Sequence, residues 1–77
     1  MADSLEDIVA ESLRISKEHV RDELSMETLG TWDSLAHMEL ISALEQHYGV
    51  ALTRDEIVRM TDVATIRAVM MSKRGSG

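Results

Sequence analysis

Apolar side chains open the chain at helical spacing. Leu5, Ile8, Val9 and Leu13 make one stripe, and polar residues fill the positions between them. The spacing predicts a first helix starting near Asp3 or Ser4, either of which can cap it. Glu6 and Asp7 then complement the positive end of its dipole. From residue 16 to 33 the helical period lapses, yet Val20, Leu24, Met26 and Leu29 recur, which predicts a long connection lying against the core. Connections of that length are uncommon in small domains and often carry function. The period resumes with Leu40, Ile41, Leu44 and Tyr48, and His37 falls on the same side. A second helix is expected from about residue 34 to 47, with Gly49 as its stop. Its other side gathers Leu35, Met38, Ser42 and Glu45 with Glu39 and Gln46, mixing apolar and acidic groups. Thr53-Arg54-Asp55-Glu56 reads as a capping box that opens a short third helix ending near Met60. Thr61 or Asp62 can cap a fourth, whose stripe is Val63, Ile66, Val69 and Met70. No segment alternates like a strand. The expected fold is all-α: a four-helix bundle with a short third helix and a long first loop.

Composition narrows this picture. With 77 residues the chain makes one domain, expected over 1–72, followed by a disordered tail over 73–77. A domain of this size buries only about 60% of its unfolded surface. One Trp, one Tyr, no Phe and six Met leave the core to aliphatic and adaptable side chains, which counts against a deep catalytic pocket. Acidic residues outnumber basic ones 14 to 8, a formal charge of −6 that disfavours nucleic acid and anionic membranes and favours basic protein partners. Without cysteine there is no disulfide, thiolate metal site or cysteine nucleophile, and no metal is expected. No secretory leader or membrane-length apolar run is read, so a cytoplasmic location and a monomer are expected.

The chemistry concentrates in Leu29-Gly30-Thr31-Trp32-Asp33-Ser34-Leu35. That order puts the Ser34 hydroxyl at the first turn of a helix, after a loop and beside a carboxylate. Free N–H groups and the helix dipole there favour an anionic substituent on its oxygen. Asp33-Ser34-Leu35, continued by Glu39-Leu40-Ile41-Ser42-Ala43-Leu44-Glu45 and Tyr48-Gly49-Val50-Ala51-Leu52, resembles the acyl and peptidyl carrier protein family. The resemblance runs from Leu5 to about Val69.

It implies a carrier that catalyses nothing. A phosphopantetheinyl transferase would attach 4'-phosphopantetheine covalently to Ser34, and the arm's thiol would hold acyl or aminoacyl cargo as a thioester. It implies that Asp33 serves transferase recognition and that Leu35 packs beside the site. Loading and acyl-using enzymes with basic patches would dock on Met38, Glu39, Ser42 and Glu45 of the second helix, with Val58 of the third as an added contact. Trp32, His37, Arg54 and Val58 depart from the fatty-acid-type pattern. The run from Trp32 to His37 resembles stand-alone carriers of specialised pathways, making secondary metabolites or surface polymers, more than those of bulk fatty acid synthesis. The Met-rich, Phe-free composition adds the expectation that cargo shelters between the second and third helices.

Other readings of the same residues fare worse. Ser34, His37 and Asp33 could be drawn as a hydrolytic triad, but no Gly-flanked nucleophile turn or oxyanion pattern accompanies them. His37-Met38-Glu39 lacks the cysteine ligands a zinc deaminase needs. Trp32 is expected to anchor the long loop, and His37 to be an inward, hydrogen-bonded histidine. The surviving alternative is an unmodified, carrier-like interaction module that uses the same acidic helix face to bind a basic or helical partner.

Overall fold

The stripes predicted from spacing close on one another in the computed structural model, which describes residues 5–75. Helix α1 is Leu5–Leu13, α2 is Ser34–Tyr48, α3 is Arg54–Arg59 and α4 is Val63–Gly75. A short 3-10 turn, Lys17–His19, interrupts the first connection. The expected caps of α1, Asp3 and Ser4, lie outside the described residues. Ile8, Val9, Ala10 and Leu13 of α1 face Leu40, Ile41 and Leu44 of α2, and Met60, Val63, Ile66 and Met70 belong to the same cluster. Each of these side chains is buried, and burying a large aliphatic contributes about 1.5–3 kcal/mol.

Local sequence sets most helix ends. Asp33 is the N-cap of α2, its Oδ1 accepting from the Ala36 N–H at 2.9 Å. Gly49 ends that helix in the left-handed region, φ 66°, where a residue without Cβ is unstrained. Thr53 and Glu56 form the reciprocal capping box of α3, with bonds of 3.2 and 2.8 Å. Of the two candidate caps for α4, Asp62 takes the role by accepting from Thr65 N–H at 2.7 Å.

The end of α4 differs from expectation. The helix runs on to Gly75, so residues 73–75 of the expected tail are helical, while Ser76 and Gly77 lie outside the described residues. Lys73 explains the extension. Its ammonium donates to the Ala51 carbonyl at 2.9 Å and pairs with Glu56 at 2.9 Å, tying the last turns of α4 to the start of α3.

The long connection is held, as its apolar residues imply. Val20 is buried, and Leu24, Met26 and Leu29 pack partly against the core. Met26 N–H donates to Thr61 O at 2.9 Å and Val63 N–H to Leu24 O at 3.0 Å, an isolated antiparallel bridge at the α3–α4 junction. Arg67 of α4 reaches Glu6 of α1 at 2.7 Å and Asp22 of the connection at 3.2 Å. Three separated segments thus share one guanidinium, whose protonated form these bonds favour further, the one to Glu6 most.

Candidate functional site

Ser34 is the first residue of α2 and is exposed. The ladder of α2 begins with His37 N–H donating to Asp33 O at 2.8 Å, and Asp33 Oδ1 satisfies Ala36 N–H. The N–H groups of Ser34 and Leu35 precede that ladder, as the first N–H groups of a helix must. They leave partial positive charge beside the Ser34 hydroxyl, in the field of a helix 15 residues long. A phosphodiester on Ser34 Oγ fits this environment, since its oxygen is accessible and its negative charge is stabilised there. Asp33 therefore has a structural duty of its own, as the cap that fixes the start of the helix.

His37 takes no part in activating Ser34. Its imidazole is buried, with Nδ1 3.1 Å from the indole Nε1 of Trp32 and Nε2 2.9 Å from the Ile57 carbonyl oxygen. An indole N–H only donates, so Nδ1 is the acceptor and Nε2 carries the proton given to Ile57 O. One ring thus bridges the loop, α2 and α3. Trp32 is 2% exposed and anchors the loop over the bundle. The triad geometry is absent, and among the described residues no group of His, Asp and Glu could hold a metal ion.

The outward side of α2 separates into two parts. Leu35 is 71% exposed and Met38 52%, and Val58 on α3 is 65% exposed, unusual values for large apolar groups. Glu39 and Ser42 are exposed beside them. Glu45 differs from Glu39 in burial and bonding. It is half-buried, and its Oε2 accepts from the Leu52 N–H at 2.9 Å, fixing the link between α2 and α3. At about 100° per residue, Glu45 lies on the flank of the helix nearest Ile41, where the link can reach it.

A groove of about 220 Å³ opens next to Ser34, between the end of α1 and the first turns of α2. Asp33, Leu35, Ala36 and Glu39 line one wall, and Leu13, Arg14 and Thr31 are among the residues facing them. The sequence pattern gives Arg14 no role of its own. It adopts φ 62°, a left-handed backbone at a residue with a Cβ. The signal available in the sequence was an apolar stripe that stops at Leu13 with no glycine after it.

Comparison with known proteins adds one match. Residues 3–70 fit the family model described as a phosphopantetheine attachment site. No curated protein matches the chain.

Proposed function

Since the chain belongs to the family of phosphopantetheine-dependent carrier proteins, which are not themselves enzymes, we propose that Ser34 is its attachment residue. The observation that carries the assignment is the exposed Ser34 hydroxyl at the first position of α2, directly after the Asp33 cap. In the transfer, Ser34 Oγ bonds to the β-phosphorus of coenzyme A while the pyrophosphate bond breaks. Adenosine 3',5'-bisphosphate leaves, and the hydroxyl proton passes to a base of the transferase. Once attached, the arm supplies a thiol that carries acyl or aminoacyl cargo as a thioester.

The docking surface in this reading is Leu35, Met38, Glu39 and Ser42 on α2 with Val58 on α3. Exposed apolar groups beside an acidic residue suit partners that offer an apolar contact rimmed by basic side chains. The pathway in this reading is a specialised one, making a secondary metabolite or surface polymer rather than bulk fatty acid. Its support is the Trp32–His37 pairing and the cationic Arg54 and apolar Val58 on α3, where the fatty-acid-type pattern differs.

Intact mass after incubation with coenzyme A, magnesium and phosphopantetheinyl transferase tests the assignment. The expected result is one added phosphopantetheine on a peptide containing Ser34, and none on Ser34→Ala at unchanged thermal stability. An arm on Ser34→Ala refutes the residue assignment. A chain that no cognate transferase modifies, and that engages its partner equally well as Ser34→Ala, supports the unmodified interaction module instead.

A further inference from the structure

Helix α1 ends in a motif that ordinarily suits glycine. Ile15 N–H donates to Ala10 O at 3.0 Å, the six-to-one bond of a Schellman cap, with Arg14 in the left-handed position between. A residue with a Cβ costs about 1–3 kcal/mol in that conformation. A cation at a helix C-terminus recovers only about 0.3–1 kcal/mol through the dipole, so the dipole alone does not offset the strain. What the position achieves is placement. Arg14 is exposed, lines the groove that begins at Asp33 and Leu35, and makes no ion pair with any described residue.

Thr31, on the same wall as Arg14, is tied to that turn. Thr31 Oγ1 donates to the Leu13 carbonyl at 3.0 Å, joining the residues just before Ser34 to the last residue of α1. The chemistry of the lining is graded. Arg14 offers one cation, Leu13, Leu35 and Ala36 offer an apolar strip, and Glu39 and Ser12 offer acceptors for neutral N–H and O–H donors. At about 220 Å³ the groove falls below the roughly 300–1,000 Å³ of sites that enclose drug-sized ligands. It therefore accommodates part of a chain-like ligand.

We infer that Arg14 is a positioning residue for the arm on Ser34. Its guanidinium pairs with the phosphodiester, and the pantetheine portion lies in the α1–α2 groove. This rests on Ser34 being the attachment residue. The amide and hydroxyl groups of pantetheine match the acceptors of the groove, and its gem-dimethyl group matches Leu13, Leu35 and Ala36. On the other side of α2, the bond from His37 Nε2 to Ile57 O joins that helix to α3. Held by Arg14 and the groove, the resting arm lies against α1.

The test is heteronuclear NMR on the labelled chain, unmodified and carrying phosphopantetheine. On attachment, the amides of residues 12–15 should shift, and NOEs should join the gem-dimethyl protons to methyls of Leu13, Leu35 or Ala36. In Arg14→Gln and Arg14→Gly these NOEs should fall at least threefold and the ³¹P resonance of the phosphodiester should move. Arg14→Gly also relieves the left-handed strain, so the fold is retained and any loss belongs to the missing cation. The inference is overturned if the arm is attached but residues 12–15 do not move. It is equally overturned if NOEs run instead to Ile57 or Val58, or if they survive unchanged in both variants. A chain that never accepts the arm at Ser34 refutes the attachment assignment itself, a separate outcome read by mass.

Discussion

Replacing His37 by leucine keeps an apolar group of similar size on the inner side of α2 but removes both bonds of the bridge. The Trp32 indole N–H, on a ring only 2% exposed, loses its acceptor at Nδ1. A buried donor left unpaired costs about 1–3 kcal/mol. The Ile57 carbonyl loses its donor too, but that bond is only partly buried, so water can replace most of it. The expected loss is therefore about 2–3 kcal/mol, set against a total near 4–12 kcal/mol for a domain of this length. In a chain this small that lowers Tm by about 10–20 °C. Urea unfolding followed by Trp32 fluorescence reads the change directly, because Trp32 is the only tryptophan and sits at the perturbed bond. A double-mutant cycle with Trp32→Phe, followed by far-UV circular dichroism because that variant has no tryptophan, isolates the bond from general packing. Once the orphaned donor is gone, His37→Leu should cost less, giving a coupling of about 1 kcal/mol or more. His37→Gln, which retains a donor and an acceptor, should fall between wild type and leucine. Destabilisation by His37→Leu of under about 0.5 kcal/mol, or strict additivity with Trp32→Phe, would refute the reasoning. The histidine would then fill space without bridging the three segments.

Two carboxylates on α2 should behave oppositely on reversal of charge. Glu45→Lys should cost about 1–2 kcal/mol in chemical unfolding, because the Leu52 N–H loses its acceptor, whereas Glu39→Lys should stay within about 0.5 kcal/mol. In stopped-flow association with a loading enzyme, Glu39→Lys should slow binding and Glu45→Gln should not. Equal stability losses for the two reversals would contradict this division. Glu56 supplies a pH dependence. Its carboxylate is held below the usual glutamate range first by the Thr53 backbone N–H, then by its bond to Lys73. Lowered in the fold, it stabilises fully above its unfolded pKa, and that contribution disappears as pH falls through the lowered folded value. Glu56→Gln should flatten the acidic limb of a Tm-against-pH curve below about pH 5, and an unchanged limb would show that the pairing contributes nothing there.

Much of this molecule is legible along the chain because helices and their caps are local devices. The stripes of α1, α2 and α4 repeat within a few residues, and the Thr53–Glu56 box and the Asp62 cap span three residues each, whereas the cap at Asp33 emerges only from the structure. A period and a cap need no knowledge of the rest of the fold. The same locality made Ser34 a candidate site, since a hydroxyl at the start of a helix is defined by its immediate neighbours. The inward position of His37 also followed from spacing, although spacing could not name Trp32 and Ile57 as its partners.

Wherever the deciding contact is distant in sequence, only the tertiary structure could settle the outcome. Glu45 looked like one more outward acid until the chain turned back and brought Leu52 N–H to its carboxylate. The sequence places the end of α4 before Lys73, because no local feature shows that Ala51 and Glu56 wait opposite its ammonium. The backbone at Arg14 was hidden for the same reason, since a left-handed arginine is unfavourable locally and its placement on the groove emerges only when α1 meets α2. The sequence by itself determined the four main helical segments, the capping box of the third and which hydroxyl is presented. The folded chain decided which charges are committed to structure and which remain at the surface, because an ionised side chain takes its role from whatever donor or carbonyl packing brings within about 3 Å.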